Sequence, residues 1–238
     1  MASVSVAVAP VWNREETFGP AITAGLALLP FAIAVIGVVT ARAGHDAWFS
    51  VEDGLAENTQ VGLLLAGAVL SGAVTRAWRR RGERAVAALY AALAVALVFL
   101  AGEEISWGQR IFGFATPEDF ARYNIQHETT VHNTYLFTRV FNLGQLVLGT
   151  IAGIVPLLPW RPVVPARYAA QAGALVPPVA LAPYFGMTGA WRAYRMMSDH
   201  ALAAPWVAHY SEVIELVLYL GIFLFVLLKW RAIRTLPG

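Results

Sequence analysis

Carboxylate and histidine side chains are concentrated in residues 102–133, and these side chains are the types that bind metals or transfer protons. The segment holds five of the chain's fifteen acidic residues and two of its five histidines. Glu103 and Glu104 are adjacent at the end of an apolar run, and Glu128 and His132 follow. A charged residue at bilayer depth costs about 2.5–3.5 kcal/mol, so we expect these groups to have partners or a function.

A second set of titratable side chains lies near the C-terminal end, where His209, Glu212 and Glu215 recur at three-residue steps. Steps of three and four residues place side chains on one face of a helix. Helix bundles hold bridged metals with Glu and His at such spacing, and these ligands suit zinc and non-haem iron. We therefore expect one exoplasmic pocket formed by Glu104, Glu128, His132, His209 and Glu212.

The chemistry of this predicted pocket has two interpretations. The first is catalysis assisted by a divalent metal such as zinc or iron. Its candidate metal ligands are His132, His209 and Glu212, and its candidate catalytic groups are Glu103, Glu104 and Glu128. The second is a buried polar network without metal, in which acids offset helix dipoles and histidines bind loop backbone. HETTVH is not a zincin motif, because its histidines lie five residues apart and do not share a helix face.

Three residues that follow the paired acids are candidates for substrate binding, namely Trp107, Gln109 and Arg110. Arg110 has two interpretations, because a guanidinium pairs with carboxylates such as Glu103 and Glu104 or binds an anionic lipid head group. We expect the ion pair, which joins both carboxylates and Arg110 in one network. Ser106 has no adjacent His–Asp arrangement and is not expected to be a nucleophile.

The composition indicates a membrane protein. The chain is 58% hydrophobic and 13% charged, whereas soluble domains carry about 25% charged residues. It contains no cysteine, which excludes disulfides and thiolate metal sites. No basic tract is interleaved with aromatic residues, so nucleic acid is not an expected partner.

Six apolar runs, each near the 20 residues that cross a hydrocarbon core of about 30 Å, are predicted to be transmembrane helices. They cover residues 20–41, 60–78, 85–104, 135–160, 168–190 and 211–230. The sequence thus predicts an all-α fold, a polytopic membrane helix bundle that forms one integral membrane domain over residues 1–238. The first run is longer than the h-region of a signal peptide and follows an acidic lead, so we expect it to remain as a helix.

Local signals refine these segments. Thr116 and Pro117 before two acids match a helix N-cap and first helical position, which predicts a short interfacial helix in the third connection. The helix of the fourth span can start at Thr129 or Thr130, ahead of residue 135, and in a helix that starts earlier Glu128 and His132 lie four residues apart on one face. The fifth span is expected to be kinked or broken by Pro177, Pro178 and Pro183.

Basic residues are concentrated on one side of the predicted membrane. With the short connection at residues 76–84 in the cytoplasm, eleven of the seventeen basic residues and three of the fifteen acids are cytoplasmic. This asymmetry follows the positive-inside rule and places both termini in the cytoplasm. Every histidine and twelve acids then lie toward the exoplasmic face, where the pocket is predicted.

The segments GEEISWGQRIFGFATPE and NIQHETTVHN resemble those of an uncharacterised family of bacterial multi-pass membrane proteins. The resemblance covers the central third of the chain and implies a bacterial inner (plasma) membrane location and a shared polar site, but no reaction. The chain is more loosely similar to the alkaline ceramidase and progestin-receptor group of membrane hydrolases, which use three histidines and an acid around zinc. It lacks the paired histidines that those proteins carry near the C-terminus.

Two function classes remain open. The first is a membrane enzyme, a metal-assisted hydrolase acting on a lipid or lipid-linked substrate at the exoplasmic interface. The second is a non-catalytic accessory or scaffold subunit of a larger membrane complex, which docks through its long exoplasmic loops. A transporter is a third class. The predicted break in the fifth span favours it, and the lack of an evident internal repeat counts against it. The expected partners are membrane lipids and, in the second class, other membrane subunits.

The predicted topology can be tested by labelling single cysteines, since the chain has none of its own. A membrane-impermeant maleimide added to intact cells should label a cysteine at Ala121 and leave cysteines at Ala77 and Gly82 unlabelled. Labelling at Ala77 or Gly82 without labelling at Ala121 would reverse the predicted orientation.

Overall fold

The computed structural model describes residues 19–44, 54–124, 128–159, 163–165, 168–198 and 205–235, and in these ranges the chain is helical. The helices are α1 (Pro20–Arg42), α2 (Leu55–Arg80), α3 (Arg84–Glu104), α4 (Gln109–Phe112), α5 (Glu118–Ala121), α6 (Tyr135–Ile154), α7 (Ala169–Leu175), α8 (Ala182–Met197) and α9 (Pro205–Arg234). The all-α prediction is confirmed. In the described ranges the β-pairing is one isolated antiparallel bridge, between Asn124 and Thr134.

Five of the described helices, α1, α2, α3, α6 and α9, are long and apolar enough to cross a membrane. Their outward faces carry exposed aliphatic side chains, such as Val35, Val69 and Val95. Side chains that face lipid have no need to be polar, so these surfaces fit a multi-pass membrane protein.

Helix α9 is the centre of the bundle and packs against α1, α2 and α8. Val213 and Val217 of α9 are fully buried because neighbouring helices cover them. The Tyr210 hydroxyl donates a hydrogen bond to the Ala34 carbonyl oxygen at 2.9 Å, which ties α9 to α1. Side chains on the inner face of α9 are therefore in position to meet side chains from several other helices.

The predicted fifth span is broken, as its prolines predict. Helix α7 ends at Leu175, Pro177 and Pro178 follow, and α8 begins at Ala182. Proline has no N–H to continue a helix and forces the preceding residue toward an extended conformation. The carbonyls freed at the end of α7 are bound by the Lys229 ammonium at 2.7 Å and the Tyr90 hydroxyl at 2.6 Å. The break is thus stabilised by buried donors from α9 and α3.

Three predicted boundaries are wrong. Helix α2 begins at Leu55 instead of residue 60, which makes Glu57 helical. Helix α6 begins at Tyr135, the predicted start of the fourth span, but it ends at Ile154 instead of residue 160, and neither Thr129 nor Thr130 starts it. Backbone N–H groups just before α6 bind a carboxylate of α3 instead, which holds that segment in turns. Helix α5 begins at Glu118, so Pro117 precedes it, and it is only four residues long.

Helices α6 and α8 approach each other closely through glycines. A Cβ atom at Gly149 would lie 2.5 Å from the Gly189 nitrogen, and one at Gly153 would lie 2.8 Å from the Gly186 Cα. Small residues let membrane helices pack with their backbones in contact. This contact fixes the inner face of α6 against α8.

We expect Gly149→Ala to destabilise the protein by about 1–3 kcal/mol, because the new methyl group overlaps backbone that cannot move away. Thermal unfolding in detergent measures the effect. The matched control is Gly144→Ala on the same helix, where a Cβ atom meets nothing within 4 Å. Equal melting temperatures for the two variants would contradict the close α6–α8 contact.

Candidate functional site

A cavity of about 190 Å³ lies at one end of the bundle, and acidic residues dominate its lining. The end of α3, the first turn of α2, the segment before α6 and the inner faces of α6, α8 and α9 all contribute to it. The acidic side chains that line it are Glu57, Glu103, Glu104, Glu128, Glu212 and Glu215. Six carboxyl groups in one cavity define the candidate site.

Three of these carboxyl groups form what we call the carboxylate cluster, Glu104, Glu212 and Glu215. An oxygen atom of each lies within 4.8 Å of an oxygen atom of the other two. Glu212 and Glu215 are three residues apart on α9 and therefore share one face of the helix. Glu104 comes from the last turn of α3, where the Tyr219 hydroxyl donates a hydrogen bond to it at 3.0 Å.

One buried guanidinium faces the carboxylate cluster. Arg192 of α8 is 6% exposed and donates hydrogen bonds to a Glu215 carboxylate oxygen and, at 2.5 Å, to the Gln145 amide oxygen. With Glu57 beside the cluster, four of the six carboxyl groups that line the cavity lie near one guanidinium among the described residues. Partly buried charges of one sign are unfavourable unless they are offset, so the excess of carboxylates among these residues calls for protons or cationic groups to neutralise it.

Glu103 has a different environment from its neighbour Glu104. Its carboxylate is 2% exposed and accepts four hydrogen bonds. The donors are the Trp107 indole N–H at 2.5 Å, the Val131 and His132 backbone N–H groups at 2.7 Å each, and His132 Nδ1 at 3.0 Å. A carboxylate with this many donors anchors the segment before α6 and has little capacity left for proton transfer.

The Glu103 contact also orients the His132 ring. A carboxylate accepts hydrogen bonds, so the proton on the ring is assigned to Nδ1. The other nitrogen, Nε2, then has a free lone pair and no hydrogen-bond partner among the described residues. The ring lines the cavity. Carboxylate–histidine pairs of this kind fix the tautomer and the orientation of the ring.

A tight turn after α3 makes the Glu103 contacts possible. Ser106, Trp107 and Gly108 have φ angles of 48°, 52° and 83°, in the left-handed region. For residues with a Cβ atom this conformation is strained, and such strain is concentrated at functional sites. The turn folds the Trp107 ring back over Gly102, where a Cβ atom would lie 2.9 Å from it. The indole N–H thereby reaches Glu103.

Further hydrogen bonds connect the two halves of the third connection. The Gln109 amide donates to the Thr116 hydroxyl at 2.8 Å and accepts from the Thr129 backbone N–H at 2.7 Å. The Ser106 hydroxyl donates to a Glu128 carboxylate oxygen at 3.0 Å. Glu128 is thus held at the cavity wall by the same turn that presents Trp107.

The structure places Glu104, Glu128, His132 and Glu212 around one cavity, as the single-pocket prediction requires. Among the described acidic and histidine residues, the group whose ligand atoms lie near enough to share one metal ion is the carboxylate cluster. This group does not include His132. The side chains of His209 and Arg110 lie outside the described residues, so the metal-ligand role of the first and the ion pair of the second stay predictions. The roles of Trp107 and Gln109 in substrate binding also stay predictions.

Three residues of the site were missed from the sequence. Glu57 precedes the predicted second span, which starts at residue 60, although it lies in the first turn of α2. Arg192 was placed beyond the end of the fifth span, and Gln145 was passed over within the fourth. For Gln145 the sequence did contain a signal, namely an amide side chain within an apolar span. A buried amide needs a polar partner, so such a residue indicates a polar contact inside the bundle.

Comparison with protein-family models, curated proteins and solved structures finds no match for this chain.

The anchoring role of Glu103 predicts that Glu103→Gln destabilises the protein by about 1–3 kcal/mol, because an amide cannot accept from all four donors. Thermal unfolding and limited proteolysis at residues 128–134 measure the effect. The matched control is Glu118→Gln, since Glu118 pairs with Arg122 at the exposed surface, where ion pairs contribute at most about 1 kcal/mol. Equal stability of both variants would show that Glu103 does not anchor this segment.

Proposed function

We propose that the chain is a multi-pass protein of a bacterial inner membrane with six crossings, both termini in the cytoplasm and the cavity toward the exoplasmic face. The arginine distribution supports this orientation, and the family resemblance supports the location. The contacts of α7 and α8 with α9 support a crossing by the broken fifth span, which brings the number of crossings to six. Helix α7 contacts Lys229 of α9, and α8 contacts Glu215 of α9. Lys229 and Glu215 lie about 21 Å apart along α9, so α7 and α8 together extend over most of the length of a crossing.

We further propose that the protein is a metal-assisted membrane enzyme that acts on a lipid or lipid-linked substrate. The observation that carries the proposal is the shared cavity, which holds the carboxylate cluster together with the oriented His132. The cluster supplies cation ligands and an excess of negative charge. His132 supplies a base whose lone pair is available in the same space.

The ligand chemistry of the cluster favours a hard cation. Carboxylate oxygens are the preferred ligands of Mg²⁺, Mn²⁺ and Ca²⁺, whereas zinc and iron sites are richer in imidazole. The composition of the cluster therefore favours Mg²⁺ or Mn²⁺ over the zinc or iron expected from the sequence. Arg192 holds Glu215 in place through one carboxylate oxygen and leaves the other oxygen, together with Glu104 and Glu212, to face the cation.

The reaction that fits these groups is hydrolysis of an ester bond. His132 Nε2 accepts a proton from water while the water oxygen bonds to the electrophilic carbon or phosphorus of the ester. The bond to the alcohol oxygen then breaks, and His132 returns the proton to that oxygen. Histidine is the side chain that most often serves as general acid and base in such transfers. Glu103 acts as a positioning residue in this scheme, and Glu128 stays a candidate for contact with substrate.

A second candidate is the accessory or scaffold subunit. It is favoured by the third connection, whose apolar side chains Ile111, Phe112 and Tyr123 are exposed. Such side chains contact either the bilayer interface or another membrane protein. Purification in mild detergent separates the candidates, since stoichiometric co-purifying subunits support the scaffold and an isolated protein with bound cation supports the enzyme.

We expect the purified protein to bind about one Mn²⁺ per chain, and Glu212→Gln and Glu215→Gln to weaken binding at least about tenfold, because each removes a charged ligand. Titration calorimetry in detergent measures the affinity. The matched control is Asp119→Asn, a change of the same kind at an exposed position outside the cavity. Unchanged Mn²⁺ affinity in both cluster variants would contradict a cation at this site.

A further inference from the structure

An open groove lies beside the cavity, at the start of α6. It is lined by Tyr135, Leu136, Thr138 and Arg139 and has a volume of about 510 Å³. Thr138 also lines the cavity, so the groove and the cavity are adjacent along one helix. The groove therefore connects the membrane-facing surface of the bundle to the candidate site.

Arg139 is exposed, lines the groove, and has no hydrogen bond or ion pair with any of the described residues. Arg42 and Arg195 have none with the described residues either, but they do not line the groove. Arg122, in contrast, pairs with Glu118 at 2.9 Å, and Arg192 pairs with Glu215. A guanidinium presents a planar set of donors that matches phosphate oxygens. Arg139 is thus a cation in position to bind a phosphate group.

Arg139 is also next to the cavity wall. Residues three apart are neighbours on a helix surface, so Arg139 adjoins Asn142, which lines the cavity. A group held by the guanidinium would be within one helical turn of polar side chains that face the candidate site. The charge on Arg139 is therefore placed to orient a head group toward His132.

The outward surface of α6 continues the groove with hydrocarbon. Leu136, Val140, Leu143 and Val147 are all about half exposed or more and recur at three- and four-residue steps, which places them in one stripe. A free phosphate ion has no apolar part to contact this stripe. A lipid does, because its acyl chain can lie along the stripe while its phosphate group binds Arg139.

We propose that this groove binds a phosphate-bearing lipid of the exoplasmic leaflet, and that such lipids are the substrate class. The phosphate binds Arg139, an acyl chain lies along the α6 stripe, and the head group points past Thr138 into the cavity. This proposal rests on the lipid-directed function proposed above, but binding can be measured without turnover.

The test is fluorescence titration of the detergent-purified protein with a fluorescent short-chain phosphatidylglycerol. We expect Arg139→Gln to weaken binding about tenfold, the cost of one charge-assisted interaction, and Arg139→Lys to restore part of it. The control Arg122→Gln, at a paired arginine, should bind like the unmodified protein. Melting temperatures and elution profiles identify any variant that has failed to fold.

Competition decides which part of the lipid is bound. Short-chain diacylglycerol and millimolar inorganic phosphate should each compete poorly with phosphatidylglycerol. Equal competition by diacylglycerol would show an apolar surface without phosphate recognition, and equal competition by phosphate would show an anion site without a lipid site. Equal affinity of Arg139→Gln and the unmodified protein would also overturn the proposal.

The lipid-binding proposal and the metal-assisted enzyme proposal can each be contradicted without the other. Arg139→Gln, which tests the lipid site, lies outside the carboxylate cluster and should leave Mn²⁺ affinity unchanged. Lost phosphatidylglycerol affinity with unchanged Mn²⁺ affinity in Arg139→Gln supports both proposals. A protein that binds the lipid through Arg139 without binding Mn²⁺ at the cluster supports the lipid site and contradicts the metal-assisted enzyme.

Discussion

The partial burial of several carboxylates in a helix bundle is the constraint on which this site depends. Glu104, Glu212 and Glu215 meet at ligand spacing, and partly buried charges of one sign are unfavourable unless they are offset. The bundle supplies partial compensation from several helices, with Arg192 from α8 and the Tyr219 hydroxyl from α9. The remaining excess of negative charge among the described residues is what the proposed cation would offset.

Two adjacent acids have different roles because their surroundings differ. Glu103 faces the segment before α6 and is saturated by the indole and backbone N–H groups, so it is a structural anchor. Glu104 faces α9 and shares the cavity with other carboxylates. The strained turn at Ser106 and Trp107 links the two roles, because it supplies the indole donor for Glu103 and the hydroxyl donor for Glu128. His132 is oriented as a consequence.

The sequence predicted the helical class, and it predicted that Glu104, Glu128, His132 and Glu212 line one cavity, because the apolar runs place these residues at one membrane level. It did not predict features that depend on tertiary contacts. The start of α6 depends on Glu103 binding N–H groups that a helix would otherwise use. The Arg192–Gln145 contact joins residues 47 apart and depends on the glycine packing of α6 against α8.

We propose that a cation compensates the carboxylate cluster beside an oriented histidine. Crystals of the protein grown with Mn²⁺ and measured at the manganese absorption edge would locate this cation. We expect one anomalous peak between Glu104, Glu212 and Glu215, with His132 Nε2 facing the same cavity. An anomalous peak elsewhere, or none in the cavity at saturating Mn²⁺, would contradict it and would leave shared protons to offset the excess charge.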